Sequence, residues 1–575
     1  MTITASAAKT ATISVVSNAT VAKLVDAPRA AEIKVAEWLS YTNSNGFDKN
    51  SFGARQSWDS KQSLYSFKKK TFPAGFARTI VSRLRKAGYK ANWVKRPLPE
   101  PLGPKRPVVD DFGYDDPRYS YQPETADNLV RYGQMIASVA TGGGKSRIAR
   151  ICYKRISRKT LFLTTRGVLM HQMKDDFEEL LSEKVGVLGD GSWTPEKGFN
   201  VGMVQTLAEN LIEKDFDKEL ERAVDLEEAA IVRKVEAHKR QLIRKKTSPP
   251  TVMLEVKRYR EKLLKARPSD TELVTRVKNS VTRHNARRRE TIEFLKSVEF
   301  LILEEAHEAG SDEYYSVCMA CSNAYYRLAL TGTAFKRSDE ESNMRLMAVS
   351  GPIGIKITEK YLIDIGVLAT PKFLYIPTPR TKGVYRSTAW KDAYEKGVMR
   401  NDWRNDQVIW FCKLLKEYGL TSMVLVLRKE HGHELKLALQ RAGLKASFIY
   451  GDKNQAERKA ALNKLANREI DVLLGTTILD VGVDVPSVGG VCKAGGGKAE
   501  IADRQRTGRG LRAKKDGPNI CFIADFSDGG NDHLRKHAVA RRRIVHETPG
   551  FAENVVELDD FKLFDPADYG FKKVS

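Results

Sequence analysis

The stretch Val139-Ala140-Thr141-Gly142-Gly143-Gly144-Lys145-Ser146 decides how this chain is read. Before it, the apolar run Met135 to Val139 has the character of a buried strand, and after it Arg147-Ile148-Ala149-Arg150 opens a helix. A strand, a glycine turn and a helix N-terminus together form an anion trap. The glycines let backbone N–H groups close around phosphates, the helix dipole favours negative charge, Lys145 neutralises the outer phosphates, and the Ser146 hydroxyl can hold Mg²⁺. The full eight-residue pattern has Gly where Val139 stands. A chance glycine loop is the competing reading, and the rest of the chain must decide between the two.

Length and charge set the frame. The 575 residues allow three or four domains of roughly 150 residues each. Lys and Arg outnumber Asp and Glu by 97 to 72, a net charge of +25 that argues for a polyanionic partner. No apolar run approaches the ~18 residues of a membrane span, so the anionic partner is expected to be nucleic acid and not a membrane. Six cysteines are too few for a disulfide framework. The lone Cys318-x-x-Cys321 reads as core packing and not as a zinc site.

Moving outward from the glycines, Tyr119-Ser120-Tyr121-Gln122 lies just upstream. A glutamine amide carries a donor and an acceptor that suit the edge of adenine, and a tyrosine can stack on its face. Downstream, strands are expected at Lys159 to Thr164, ending in Thr165-Arg166, and at Asn200 to Val204, ending in Gln205-Thr206. Polar residues at the carboxyl ends of parallel strands sit where open α/β sheets bind ligands. Phe300-Leu301-Ile302-Leu303 is a third buried strand and delivers Glu304-Glu305-Ala306-His307. One carboxylate there can hold Mg²⁺ and the next can orient or deprotonate a water, the division of labour that phosphoryl transfer to water needs. A helix N-terminus with acidic residues placed for the dipole is the bland alternative. Ala329 to Thr333 adds a strand and a Thr-Gly-Thr turn. A second α/β half begins near Pro371, with strands at Ser422 to Leu427 before Arg428, Phe448 to Gly451, and Val472 to Gly475 before Thr476. It closes on Gln505-Arg506-Thr507-Gly508-Arg509-Gly510-Leu511-Arg512, where arginines three apart share a helical face and can stabilise charge on a γ-phosphate.

In order, spacing and identity these motifs resemble superfamily 2 helicases from about Tyr119 to Asp525, and within them the bacteriophage branched-DNA helicases. The resemblance implies two RecA-like parallel-sheet lobes, with ATP and Mg²⁺ as cofactors. It assigns Thr141, Gly142, Gly143, Gly144, Lys145 and Ser146 to phosphate and metal binding. Glu304 becomes a metal ligand, Glu305 the catalytic base, and Gln122 an adenine contact. Gly482 and Asp484 join the nucleotide site, while Gln505, Arg509 and Arg512 complete it from the second lobe. His307, Thr331 and Thr333 would couple that site to a strand lying on Arg166, Gln205, Thr206, Arg428 and Thr476. The family has Asp where Glu304 stands; the extra methylene moves the carboxylate by about 1.5 Å, which bears on metal geometry and turnover.

The flanking regions complete the layout. Residues 1–105 read as a small α+β DNA-binding domain with a linker rich in proline and glycine (Pro97 to Pro107). Between Lys61 and Arg96, basic residues alternate with Tyr65, Phe67, Phe72, Phe76, Tyr89 and Trp93, a composition suited to backbone neutralisation with base stacking, or to a charged rim over an aromatic core. Trp58-Asp59, Phe72-Pro73-Ala74-Gly75-Phe76 and Gly88-Tyr89-Lys90-Ala91 carry the resemblance into this domain. Lobe 1 is expected at 106–370, lobe 2 at 371–528, and a tail at 529–575. Residues 211–296 are a helical insertion in lobe 1, broken by Ser248-Pro249-Pro250 and Pro268-Ser269-Asp270. From Ile231 to Glu290 it holds 19 Lys and Arg against 6 Asp and Glu. That is either a solvated face or a basic arm over nucleic acid. The resemblance implies ATP-driven unwinding or branch migration of single-stranded, forked and four-way DNA in phage replication, recombination and repair, with phage or host recombination proteins as partners. An RNA helicase, or a non-unwinding ATPase that remodels nucleic-acid complexes, is the alternative.

Overall fold

Three principal sheets organise the computed structural model, which describes residues 12–42, 61–110, 114–335, 339–451, 455–476, 488–497, 511–514, 517–557 and 560–574. The first is four-stranded, in the order Thr71–Pro73, Val21–Val25, Ile13–Ser17, Ala91–Lys95. Its strands alternate buried and exposed residues, as a sheet with one wet face requires. The helices Arg29–Trp38 and Ala77–Lys86 cover the other face through Ala31, Val35, Ile80 and Leu84. Tyr65, Phe72, Phe76 and Tyr89 are buried in that core; of the six interleaved aromatics only Phe67 is exposed, with Trp93 half-buried. The aromatic spacing of this domain is therefore mostly core spacing, while the basic residues between line its surface. The domain docks on the first lobe: Gln134 Nε2 donates to the Ala19 carbonyl at 2.7 Å, Arg96 Nη1 donates to the Tyr325 hydroxyl at 3.0 Å, and Ala348 joins its core.

The two lobes are parallel α/β sheets, as expected. In the first lobe the strands run in the order Ser192–Thr194, Gly186–Gly189, Phe199–Met203, Thr160–Thr164, Phe300–Leu303, Tyr326–Thr331, Gln134–Val139, Ile353–Ile357, with only the first pair antiparallel. The central strands are buried along their whole length, which is why they read as unbroken apolar runs. In the second lobe the order is Ala446–Ile449, Val472–Gly475, Ser422–Leu425, Gly490–Cys492, Ile520–Asp528, Thr370–Thr378, Val555–Val556, all parallel. The insertion consists of three helices, Phe216–Arg244, Pro249–Lys265 and Asp270–Ser297; both breaks fall at the prolines, and Ser269 with Glu272 forms a capping box on the last. Among the described residues no helix is long and apolar enough to cross a membrane.

The segment read as a tail belongs to the second lobe. Helix Asp532–Glu547 lies on the sheet, held by a buried ion pair in which Arg541 donates to both oxygens of Asp525. Val555 and Val556 add an edge strand beside Phe373 and Leu374. Phe561 and Phe564 then enter the core, with Tyr569 and Phe571 packed against it. The acidic composition near the end concealed this, because four aromatics at irregular spacing give no periodic signal.

A different device closes the first lobe. Arg327 is fully buried with no carboxylate partner among the described residues; its guanidinium donates to the carbonyls of Ala324 (2.9 Å), Val349 (3.2 Å) and Cys321 (2.7 Å). Two of these carbonyls end the helices Asp312–Ala320 and Glu340–Ser350, so the cation sits on two negative dipole ends. Cys318 and Cys321, both buried free thiols, pack around it. Arg327→Met removes the guanidinium donor from the Ala324 and Val349 carbonyls and one of two donors from the Cys321 carbonyl, which keeps the Ala324 N–H at 3.2 Å, and the lobe is expected to lose about 3 kcal/mol. A urea-unfolding midpoint unchanged from wild type would contradict this capping.

Candidate nucleotide and nucleic-acid site

The glycine turn lies where its sequence implied, between strand Gln134–Val139 and helix Lys145–Ile156. Gly142 and Gly144 have φ of 88° and 78°, in the left-handed region that glycine occupies without strain. Because the helix begins at Lys145, its first-turn N–H groups open on the turn. Val139, the departure from the usual pattern, is fully buried beneath the turn; a Cβ at Gly143 would lie 2.6 Å from its Cγ1. The valine thus fills the floor of the loop, and Gly143 is the residue that makes room for it.

Gln122 is fully buried and braces this loop. Its Nε2 donates to the Gly143 carbonyl at 3.2 Å, alongside the Tyr121 hydroxyl at 2.7 Å, and its Oε1 accepts from Arg147 at 2.5 Å. Arg147 also forms a two-point pair with Asp110 and lies over the half-buried ring of Tyr119. Nothing in the local spacing of Arg147 and Asp110 announces a pair that the fold creates across 37 residues.

Across the sheet, Glu304 and Glu305 follow strand Phe300–Leu303. Glu304 is buried, and among the described residues its Oε2 has no hydrogen-bond partner. Burial, and then the charge of Glu305, raise its carboxyl far above the usual carboxylate range, with Lys145 pulling in the opposite direction. An orphaned buried carboxylate oxygen between a lysine and a second carboxylate fits a divalent cation, and Ser146 stands on the same turn as Lys145. Glu305 takes a left-handed backbone (φ 44°), uncommon for a residue with a side chain and typical of functional turns. Its Oε2 lies 3.3 Å from His307 Nδ1, which in turn is 3.4 Å from the Thr331 hydroxyl. Thr331 and Thr333 tie the next turn through the Thr333 N–H and carbonyl.

Glu308 links this cluster to Thr165 and Arg166, just past the end of strand Thr160–Thr164. Its carboxylate accepts from the Thr165 hydroxyl at 2.5 Å and lies 3.5 Å from the Arg166 guanidinium. Gln205 Nε2 in turn donates to the Thr165 carbonyl at 3.3 Å, with Thr206 beside it on the same helix. Arg166 and Gln205 are exposed at the carboxyl ends of neighbouring strands. In the second lobe Arg428 and Thr476 likewise end the adjacent strands Ser422–Leu425 and Val472–Gly475. The backbone at Leu511 and Arg512 pairs with Leu368 and Ala369, six residues past Leu362, whose side chain reaches the glycine turn. Gly482, Asp484, Gln505 and Arg509 lie outside the described residues.

Beneath the Arg428 loop, His431 is fully buried, its Nε2 3.1 Å from Asn405 Oδ1, and next to it the buried Arg404 pairs with Asp528 at 2.6 Å. Burial, and then the Arg404 charge, depress the imidazole to about 4. The unfolded chain takes up this proton near pH 6.5 and the folded chain only near 4. The stability that follows is complete above pH 6.5 and is lost as pH falls from 6.5 towards 4, by up to roughly 3 kcal/mol. His431→Leu is expected to flatten that part of the stability–pH curve, measured by urea unfolding; an unchanged slope would remove His431 from the account.

Residues 117–336 match the family model described as "Type III restriction enzyme, res subunit", and residues 404–514 match "Helicase conserved C-terminal domain". With the two lobes and the site just described, the chain has a superfamily 2 helicase fold. Among curated proteins it is similar to "ATP-dependent RNA helicase DRS1" of Candida albicans, 32% identical over 134 residues, which is 23% of this chain and 21% of that protein. It is also similar to "DEAD-box ATP-dependent RNA helicase 28" of Oryza sativa subsp. japonica, 27% identical over 165 residues, 27% of this chain and 20% of that one. The chain thus spans about a fifth of the length of these relatives. Solved structures similar to it include T4 UvsW (15% identity, TM-score 0.40, 95% of this chain and 99% of that one). Another is Dbp5 of S. cerevisiae bound to RNA and ADP BeF3 (12% identity, TM-score 0.44, 75% of this chain and 88% of that one).

Proposed function

We propose that this chain is an ATP-dependent nucleic-acid helicase or translocase, hydrolysing ATP between its lobes and moving along a strand laid across them. The observation that carries this reading is the series of charge interactions and hydrogen bonds that runs from the glycine turn towards the proposed strand track. Lys145 acts on Glu304, Glu305 and Thr331 flank His307, and Glu308 holds Thr165 and Arg166 beside Gln205. A change at the carboxylates therefore has a short mechanical route to the residues that would grip the backbone. Mg²⁺ held by Ser146 and Glu304 would neutralise charge on the triphosphate. Lys145 and the first-turn N–H groups would orient that triphosphate, Glu305 would take the proton of the attacking water, and Arg509 and Arg512 would complete the closed state from the second lobe.

On substrate, the DNA expectation yields first place to RNA. Several of the curated relatives that match part of the motor are named as RNA helicases. Four of the six N-terminal aromatics offered for base stacking are core residues. Forked and four-way DNA remains the second reading, resting on the N-terminal motifs and the basic surface of that domain. ATP hydrolysis measured with single-stranded RNA, single-stranded DNA and forked DNA separates them. Stimulation by RNA at least ~10-fold above either DNA is the expected result; stimulation by forked DNA alone would restore the DNA reading. No turnover with any of the three would leave a nucleic-acid binder without a motor.

A further inference from the structure

The insertion divides into two electrostatic halves. Its root, residues 216–230, holds six Asp and Glu against two Lys and Arg; its tip, residues 231–268, holds thirteen Lys and Arg against three Glu. The root is built to stay in place. Leu273, Val277 and Val281 pack on Phe216, Leu220, Ala223 and Val224, Arg276 pairs with Glu227, and Phe294 and Leu295 enter the core of the first lobe. The tip has almost no core, since Val252 is its one buried residue. Twelve of its thirteen cations are exposed, and among the described residues only Arg258 and Arg267 have a carboxylate partner. A 29-residue helix spans about 43 Å, so the tip begins roughly 20 Å from the start of the arm. Concentrating like charges on a rod with nothing to bury is unfavourable in isolation and is relieved by a polyanion.

From this we infer that the tip of the insertion is a second nucleic-acid site, one that grips the phosphodiester backbone of a duplex outside the motor. Duplex, and not single strand, follows from the chemistry. Single-strand grooves add aromatic faces on which bases stack, whereas Tyr259 is the sole Phe, Tyr or Trp between 231 and 268, and its ring is stacked on His238 at 4.3 Å. Arg233, Arg240 and Arg244, spaced by seven and four residues, share one helical face; Lys262 and Lys265, three apart, share a face of the next helix. The arm leaves the first lobe a few residues past Gln205 and Thr206, so its position beside the moving strand rests on the proposed function, while its affinity for a duplex does not.

The test uses the full chain carrying Arg233→Gln, Arg240→Gln, Arg244→Gln, Lys262→Gln and Lys265→Gln, exposed helix positions where glutamine preserves helix propensity. Binding of blunt 20-base-pair RNA and DNA duplexes is followed by anisotropy against salt, alongside ATP hydrolysis stimulated by an 8-nucleotide single strand. The expected result is a fall of about 3 in the slope of log affinity against log salt for the duplexes, with the oligonucleotide-stimulated rate within twofold of wild type. Equal falls on both duplexes point to the shared backbone, and a fall on one alone names which duplex the arm holds; either supports the site. An unchanged slope overturns it, and so does a parallel loss of the short-strand response, which would mean that the motor track had been damaged instead. If wild type hydrolyses no ATP at all, the proposed function fails while the duplex slope still decides the arm.

Discussion

Lys145→Ala is expected to lower ATP hydrolysis by roughly 10²- to 10³-fold while nucleic-acid binding without ATP stays within about threefold of wild type. The ammonium is the one group on the glycine turn whose charge reaches Glu304. Deleting it would remove both the counter-charge proposed for the outer phosphates and the positive charge that opposes protonation of that buried carboxylate. The loop itself should survive, because its bracing comes from Gln122, Tyr121 and Arg147 and not from Lys145. A variant that still hydrolyses ATP at the wild-type rate would dissolve the assignment of the turn; one that loses nucleic-acid binding as well would show that the two sites are not separable.

Truncation after residue 557 is expected to unfold the second lobe at room temperature. Phe561 packs on Trp410 and Phe411, and Phe564 on Phe411 and Phe522; Tyr569 and Phe571 cover Phe522 from outside. Removing one buried Phe costs about 3–5 kcal/mol, and losing two together with their cover approaches the whole stability of a domain, about 5–15 kcal/mol. Val574, which donates to the Glu417 carbonyl, and Lys573, which pairs with the Glu417 carboxylate, hold the end of this strap in place. Loss of the second-lobe transition in urea unfolding followed by near-ultraviolet circular dichroism is the expected readout. A truncated chain with the full-length midpoint would show that the strap is dispensable.

Much of the fold was legible in the linear sequence. Strands buried on both faces appear as unbroken apolar runs, glycines mark turns that need positive φ, and Ser-Pro-Pro and Pro-Ser-Asp divide the insertion where its helices end. These features are local: each depends on a few residues and on the geometry of the chain itself. The glycine turn, the paired carboxylates and the polar strand ends belong to the same class, since the carboxyl edge of a parallel sheet gathers whatever follows its strands.

Tertiary structure decided what depends on the partner across space. Spacing could not tell that Tyr65, Phe72, Phe76 and Tyr89 face inward, or that Gln122 braces the glycine turn and is wholly buried there. It could not show that Glu308 joins the carboxylates to Arg166, or that the final aromatics complete the core of the second lobe. A side chain carries its chemistry in the sequence, but its burial, and with it the strength of every charge and hydrogen bond it makes, is set by the elements the fold packs against it.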